Sequence, residues 1–298
     1  MKMSLEFNLA KRVLQQTEYA RETGALQSIE TDYHFIEQEG IPFIVRTLTN
    51  LIRKEKDKQQ QLAKEVKTGK IVDPFLPYEA DLFVCDISPT HLCLLNKFNV
   101  VENHLLIVTR AFEEQDDLLN LNDFAALWTC MQQMDGLAFY NGGKAAGASQ
   151  RHKHLQLVPL PFVPDTPYLP IQKAIDNAVY DNQIGTIPSF AFRHAIAQLD
   201  IDTDNPLLAA KIMFDLYYDL LEAVNLRIID PPQQPGAYNF LATKNWMSII
   251  PRSQESFRSI SVNSLGFAGS LFVRDAQALE LLQEITPIAM LQQVGFTR

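Results

Sequence analysis

Cysteine, positive charge and long apolar runs are all scarce in this chain, and each scarcity narrows what it can be. Only three cysteines, Cys85, Cys93 and Cys130, occur in 298 residues. They contain no C-x-x-C pair and no even disulfide set, so buried free thiols in a reducing compartment are expected. Lys and Arg number 26 against 35 Asp and Glu, a net charge of -9. That balance argues against a non-specific nucleic-acid binder, whose affinity rests on many cationic contacts to phosphate. An anionic ligand must be met by a few cations gathered locally. No run approaches the length of a membrane span, and "MKMSLEFNLAKRV" carries Glu6 and Asn8 inside its apolar stretch, unlike a signal peptide. A cytoplasmic protein with neither membrane nor nucleic-acid partners is expected.

What is present is enough apolar residue, 47%, for a large core, as one domain or two lobes. Leu5 to Thr23 reads as an amphipathic helix closed by Gly24, followed by a hairpin around Glu39-Gly40. The polar run Arg53 to Lys70 reads as a solvated loop and the most mobile segment. Three short strands follow, "LFVCDI", "HLCLLNKF" and "NHLLIVTR", suited to an antiparallel sheet. "NLNDFAALWTCMQQMDG" sets Phe124, Leu127, Trp128, Met131 and Met134 at helical spacing, with Asn122 as cap and Gly136 as stop. "LAFYN" and "HKHLQLVPL" are further strands around a glycine-containing loop. Past "PLPFVPDTPYLP" the composition resets, dividing the chain into units 1–165 and 166–298. The second unit holds a helix capped by Asn205 with Pro206 in its first turn, then a strand, a turn at Lys244-Asn245, a strand, and a terminal helical region. The expected class is α+β: an antiparallel sheet with flanking helices, plus a smaller α+β C-terminal lobe.

The chemistry concentrates in "NGGKAAGASQRHKHLQLVPLP", Asn141 to Pro161. In a strand, His152, His154 and Gln156 project from one face, and Lys153 and Leu155 from the other. Three readings of that face compete. It can be a polar face satisfied by hydrogen bonds. It can chelate a metal, although His34, His91, His104 and His194 offer no ligand spacing with the pair. Or a neutral imidazole can attack phosphorus, splitting one transfer into two easier steps. The last needs donors for the phosphate oxygens, and "GGKAAGASQ" supplies small residues and polar side chains for them. It is not a Walker A loop, because Ala145 follows Lys144 where Ser or Thr is required.

Together these residues resemble the active-site segment of the histidine-triad superfamily, in its H-x-H-x-Q transferase branch. More narrowly they are similar to the diadenosine tetraphosphate phosphorylases, or ATP adenylyltransferases. "NLIRK", "LLNKFNVVENHLLIVTR", "YNFLATKNWMSIIPRS" and "NSLGFAGSLFVR" extend the resemblance over most of the chain. It implies a histidine-triad-like N-terminal catalytic lobe and an ATP adenylyltransferase C-terminal lobe closing over the nucleotide. His154 matches the nucleophile that takes up AMP, the His152 carbonyl accepts its Nδ1–H, and the His152 side chain supports the site. Gln156 matches the residue contacting the α-phosphate where hydrolytic members carry a third histidine. A neutral amide holds an oxygen but donates no imidazolium proton. The implied reaction is diadenosine tetraphosphate plus phosphate giving ATP and ADP, reversibly. The implied companion is a divalent cation, Mg, travelling with the polyphosphate, without a protein metal site or an organic cofactor.

The resemblance also carries over Lys54, Asn96, Lys97, Asn141, Gly147, Ala148, Ser149, Gln150, Asn263, Ser264, Leu265, Ser270 and Arg274 as substrate-binding positions. Lys54, Lys97 and Arg274 would be the local cations an acidic protein needs. By composition alone, Lys54 is a solvated lysine, Asn96 a turn cap, Arg274 a partner of Asp275 or Glu280, and Asn263 a loop former. Two departures stand out: Ser270 replaces a larger apolar residue such as Met, and Arg151 replaces an acidic one. His104 matches a superfamily histidine and is expected as a strand residue with a satisfied ring. Two other functions remain open at this point. A hexose-1-phosphate or adenylyl-sulfate nucleotidyltransferase would be told apart by substrate assays, and a non-catalytic nucleotide sensor by trapping a labelled adenylyl group. The sequence does not set the oligomeric state, and a monomer is compatible with it.

Overall fold

The computed structural model describes residues 8–48, 73–164, 166 and 168–298; Lys54 and the polar run 53–70 lie outside them. The first helix, α1 (Leu9–Glu22), is capped by the Asn8 side chain, which accepts from Lys11 N, and ends before Gly24 at φ 75°. β1 (Thr31–Gln38) and β2 (Ile41–Leu48) form the expected hairpin. Its two turn residues, Glu39 and Gly40, sit at φ 52° and 74°, the sign that lets a two-residue turn follow the strand twist.

Ten strands then build one sheet from both sides of residue 165. They are β3 (Phe83–Asp86), β4 (His91–Leu95), β5 (Leu105–Thr109), β6 (Gly136–Gly142), β7 (His154–Pro159), β8 (Val179–Asp181), β9 (Ile184–Thr186), β10 (Ala195–Gln198), β11 (Tyr238–Ala242) and β12 (Trp246–Pro251). Their order is β3-β4-β5-β7-β6-β11-β12-β10-β9-β8. Every neighbouring pair is antiparallel, and the β6–β11 ladder, from Gly142↔Tyr238 to Ala138↔Ala242, joins the two halves.

One sheet face is covered by α1, α2 (Leu121–Gln133) and α4 (Pro206–Ala223). Phe124 of α2 meets Tyr217 of α4 and Phe240 of β11 edge-on, at 5.4 and 5.9 Å between ring centres. Burying such a phenylalanine contributes about 1.5–3 kcal/mol. α2 is capped by Asn120, where Asn122 was expected. Asn120 accepts from Asn122 N and Asp123 N while Asp123 Oδ2 accepts from Asn120 N at 2.7 Å, a reciprocal box that Asn122 has no partner to form.

The other face carries α3 (Gln172–Asp176), α5 (Ser264–Phe267), α6 (Ala276–Ile285), α7 (Pro287–Val294) and a small sheet in which β15 (Ser270–Val273) joins β2. A short hairpin of β13 (Ser256–Phe257) and β14 (Ile260–Ser261) precedes α5. The large sheet is the antiparallel one expected, whereas the β2–β15 pair of the small sheet is parallel. Parallel neighbours need a long crossover, and here the connection is most of the chain, so the C-terminal segment closes on the N-terminal hairpin.

β7 divides its residues between the faces. Leu155 and Leu157 enter the core beneath α2 and α4, and Val158 packs on the opposite side. Lys153, immediately before the strand, also points into the helical layer. Its Nζ meets Glu113 at 2.9 Å, Leu118 O at 2.9 Å and Asp123 at 3.0 Å, and Asp123 also meets His91 Nε2 at 3.0 Å. Burial opposes ionisation of Asp123, but the His91 hydrogen bond and the Lys153 ammonium outweigh it and hold the carboxyl below its usual range. This ion network ties the start of β7 to the N-terminus of α2.

Candidate active site

β7 pairs with β6 only as far as Phe139↔Gln156. Beyond that point the strands splay and the Gln115 side chain fills the gap. Its Oε1 accepts from His154 N at 2.9 Å, and its Nε2 donates to Asn141 O at 3.0 Å and His154 O at 3.3 Å. The strand "HKHLQLVPL" therefore begins at His154, with His152 making a single bridge to Glu114. The splay opens the chain for the loop 142–153.

His154 is buried, and its Nδ1–H donates to the His152 carbonyl at 2.8 Å. That bond places the lone pair on Nε2, which has no partner among the described residues. Desolvation pulls the ring down to about 4, the bond to the His152 carbonyl opposes this, and the His152 charge adds to it. The ring is thus neutral at physiological pH, as a nucleophile must be. Phe75 lies against it, 5.1 Å between ring centres, and against His152 at 5.7 Å.

His152 is fixed through both nitrogens. Nδ1 meets Asp73 Oδ2 at 2.8 Å, and Nε2 meets Thr109 O at 2.8 Å and Thr109 Oγ1 at 2.9 Å. Asp73 also accepts from Phe75 N at 2.9 Å, so one short segment holds both His152 and the ring that lies against His154. Gln156 Oε1 lies 2.9 Å from His104 Nε2, which leaves the Gln156 amide nitrogen directed elsewhere.

The glycine loop is stitched to the C-terminal half. Asn141 Oδ1 accepts from Asn239 Nδ2, Ser264 N and Ser264 Oγ at 2.9, 3.0 and 2.7 Å. Asn239 donates onward to Ala146 O at 2.8 Å, and Arg252 donates to Asn239 Oδ1 at 2.6 Å and Val262 O at 2.9 Å. Burial lowers Arg252 to about 10, partly offset by Glu255, so it stays a cation. Gly147, at φ 90°, abuts Asn263: a Cβ there would lie 2.9 Å from Asn263 Cβ. Within the loop, the amides of Ala146, Gly147 and Ala148 bond to Gly143 O and Lys144 O. Those three amides are thus engaged within the loop, and Ser149 and Gln150 follow it.

The sequence-derived positions divide accordingly. His152 bonds to His154, Gln115 links His154 to Asn141, Asn141 bonds to Ser264 N and Oγ, and Gly147 abuts Asn263, while Gln156 bonds to His104 and Ala148 N to Gly143 O. Asn263 Oδ1 caps Leu265 N at 3.0 Å, and Leu265 is buried. Asn96 bonds to His104, and Lys97 is paired with Glu79 at 2.6 Å. Ser270 is fully buried, its hydroxyl without a hydrogen-bond partner among the described residues, Arg274 is exposed, and neither bonds to the histidine pair. Arg151 is paired with Glu114. Asp73, Phe75, Thr109 and Gln115 went unnoticed in the sequence, where no spacing links them to the histidines. Among the described residues no cluster of three or more His, Cys, Asp or Glu side chains can hold a metal ion, and no helix is long and apolar enough to cross a membrane.

A neutral buried imidazole whose Nε2 has no partner among the described residues, beside a neutral amide and a small-residue loop on an α+β fold, is the arrangement of a group-transfer protein. The chain belongs to the Ap4A phosphorylase family: residues 2–177 match the Ap4A phosphorylase N-terminal domain, and residues 188–297 the ATP adenylyltransferase C-terminal domain. It is 28% identical over 244 residues to diadenosine 5',5'''-P1,P4-tetraphosphate phosphorylase 2 of Saccharomyces cerevisiae, covering 72% of this chain and 73% of that protein. It is 24% identical over 302 residues to Protein APA1 of the same yeast, covering 95% and 92%. The fold matches the crystal structure of yeast Ap4A phosphorylase Apa2 in complex with AMP, with a TM-score of 0.77 at 24% identity over 98% of this chain and 99% of the other. The Apa2 structure in complex with Ap4A gives 0.75 at 23% identity, covering 98% of each chain.

Proposed function

We propose that this chain phosphorolyses diadenosine tetraphosphate, the substrate named for its yeast relative, through an adenylyl-His154 intermediate. The observation that carries the mechanism is the His154 Nδ1–H bond to the His152 carbonyl at 2.8 Å, which commits the Nε2 lone pair to the substrate. In the first step Nε2 forms a bond to the α-phosphorus, the bond from phosphorus to the α,β-bridging oxygen breaks, and ATP leaves. In the second, an oxygen of inorganic phosphate attacks the same phosphorus, the P–N bond breaks, and ADP is released with the imidazole restored as the neutral Nδ1–H ring. The ring is regenerated without any external acid, which fits Gln156: a neutral amide steadies a phosphate oxygen, and a good leaving group departs without needing a proton.

Mg enters as part of the polyphosphate substrate. Lys54, Lys97 and Arg274 are proposed to meet the tetraphosphate chain, which requires Lys97 to exchange Glu79 for a phosphate oxygen. Free, buried Cys85, Cys93 and Cys130 support a cytoplasmic enzyme. The test is a product assay with diadenosine tetraphosphate, with and without phosphate. ATP and ADP, formed only when phosphate is present, are expected; ATP and AMP without a phosphate requirement would overturn the assignment.

A further inference from the structure

Gln156 can serve a phosphate in only one of two orientations. With its NH2 outward the amide donates, and with its carbonyl outward it repels. The structure decides between them through a chain of bonds that starts at a backbone amide. The Phe98 N–H can only donate, and it donates to Asn96 Oδ1 at 3.3 Å. Asn96 Nδ2, which can only donate, then faces His104 Nδ1 at 3.2 Å. His104 Nδ1 is therefore the acceptor, since a proton there would set two donors against each other. The ring proton must sit on Nε2, which donates to Gln156 Oε1 at 2.9 Å. With Oε1 taken, the Gln156 NH2 is turned towards the strand face it shares with His154. His104 is 4% exposed and packs its ring on Phe139, 5.8 Å between centres, so the arrangement is shielded from water that could scramble it.

We propose that His104, held by Asn96, is a positioning residue for adenylyl transfer, fixing the Gln156 amide with both N–H donors towards the α-phosphate. The proposal rests on the phosphorolysis reading above. It also gives Asn96 a role at one remove: its effect on the substrate passes through His104 and Gln156. Because Nε2–H ends on an amide oxygen, the chain orients a donor and relays no proton to the leaving group. That is consistent with a site that depends on ATP as leaving group.

The test is a double-mutant cycle read by single-turnover formation of the adenylyl-enzyme from diadenosine tetraphosphate. H104F keeps a ring against Phe139 and removes the donor; a rate loss of roughly 10- to 100-fold is expected. H104Q supplies an amide N–H near the Nε2 position and should return the rate to within roughly threefold of wild type. In a Q156A background H104F should change the rate by less than roughly twofold, because its effect passes through Gln156. A wild-type rate in H104F, or an equal loss in both backgrounds, would overturn the proposal. Should thermal melting show H104F unfolded, N96A takes its place in the same cycle. Ring nitrogen-15 shifts of the free enzyme supply an independent check: the Nε2–H tautomer is expected, and Nδ1–H would sink the idea. That readout needs no substrate, so failure of this proposal and failure of the phosphorolysis reading are distinguishable.

Discussion

Lowering the pH tests whether burial keeps His154 ready to react. With the ring at about 4, about nine-tenths of the enzyme carries a neutral nucleophile at pH 5; an ordinary ring at 6.5 would leave about one-thirtieth. Diadenosine tetraphosphate suits the measurement because all four phosphates are internal and stay ionised across this range. In quenched-flow single turnovers between pH 5 and 8, the rate of label transfer to His154 should stay nearly flat, falling only below about pH 5. The ring carbon shifts of His154 should be followed in parallel, so that the profile is assigned to this ring. A drop of roughly 25-fold between pH 7 and 5, with His154 shifts titrating near 6.5, would refute the argument that desolvation sets the state of this ring.

The same displacement has a consequence for stability. Here the folded pKa lies below the unfolded one, so the unfolded ring takes up a proton first. The stability linked to the neutral ring is complete above about 6.5 and is lost as pH falls towards about 4, roughly 3 kcal/mol in all. His194, also lowered to about 4 by burial, adds a second such loss over the same window. Urea denaturation should show stability falling steadily through it.

Replacing His154 with Asn should abolish turnover while calorimetry still detects AMP binding; retained turnover would exclude a covalent intermediate. Lys153→Met leaves the Asp123 carboxylate buried without its ammonium partner and should cost about 3–5 kcal/mol by urea denaturation. Because the folded Asp123 pKa is depressed, its stabilisation is present above about 3.9 and lost as pH falls through the folded value; K153M should move that acid loss to higher pH. Gly147→Ala forces a Cβ against Asn263 at φ 90°, a strain of about 1–3 kcal/mol. It should lower the melting temperature and raise KM for diadenosine tetraphosphate, and an unchanged KM would remove the loop from the binding site.

Local periodicity made the catalytic strand legible. Alternation puts His154 and Gln156 on one face and Lys153 and Leu155 on the other, because pleating is a property of neighbouring residues. The hairpin at Glu39-Gly40 and the Asn205-Pro206 helix start were readable for the same reason. The cap of α2 was readable too: N-x-x-D, Asn120 to Asp123, fits a capping box, whereas Asn122 has no reciprocal partner. Nothing local marks Asp73, Thr109 or Gln115. Each reaches the histidines from a different element, between 39 and 79 residues away in the chain. Their roles exist only once the sheet is assembled. The parallel β2–β15 pair is hidden likewise, since its register depends on where the whole intervening chain returns.

His194 shows why an imidazole anchored to a nearby carbonyl is not sufficient for catalysis. Its Nδ1 bonds to Phe192 O at 2.8 Å, the same two-residue backward reach as His154 to His152. Burial lowers it to about 4 as well, and β10 sits between β12 and β9 much as β7 sits between β5 and β6. Tautomer, protonation state and strand setting are all reproduced. What differs is the far nitrogen: His194 Nε2 accepts from Ile187 N at 2.7 Å, so its lone pair is consumed in holding β9 and the segment after it. Two residues on, Ile196 stands where Gln156 follows His154, and no amide faces outward. What sets His154 apart is its far nitrogen: Nδ1 is secured by the His152 carbonyl, while Nε2 has no partner among the described residues.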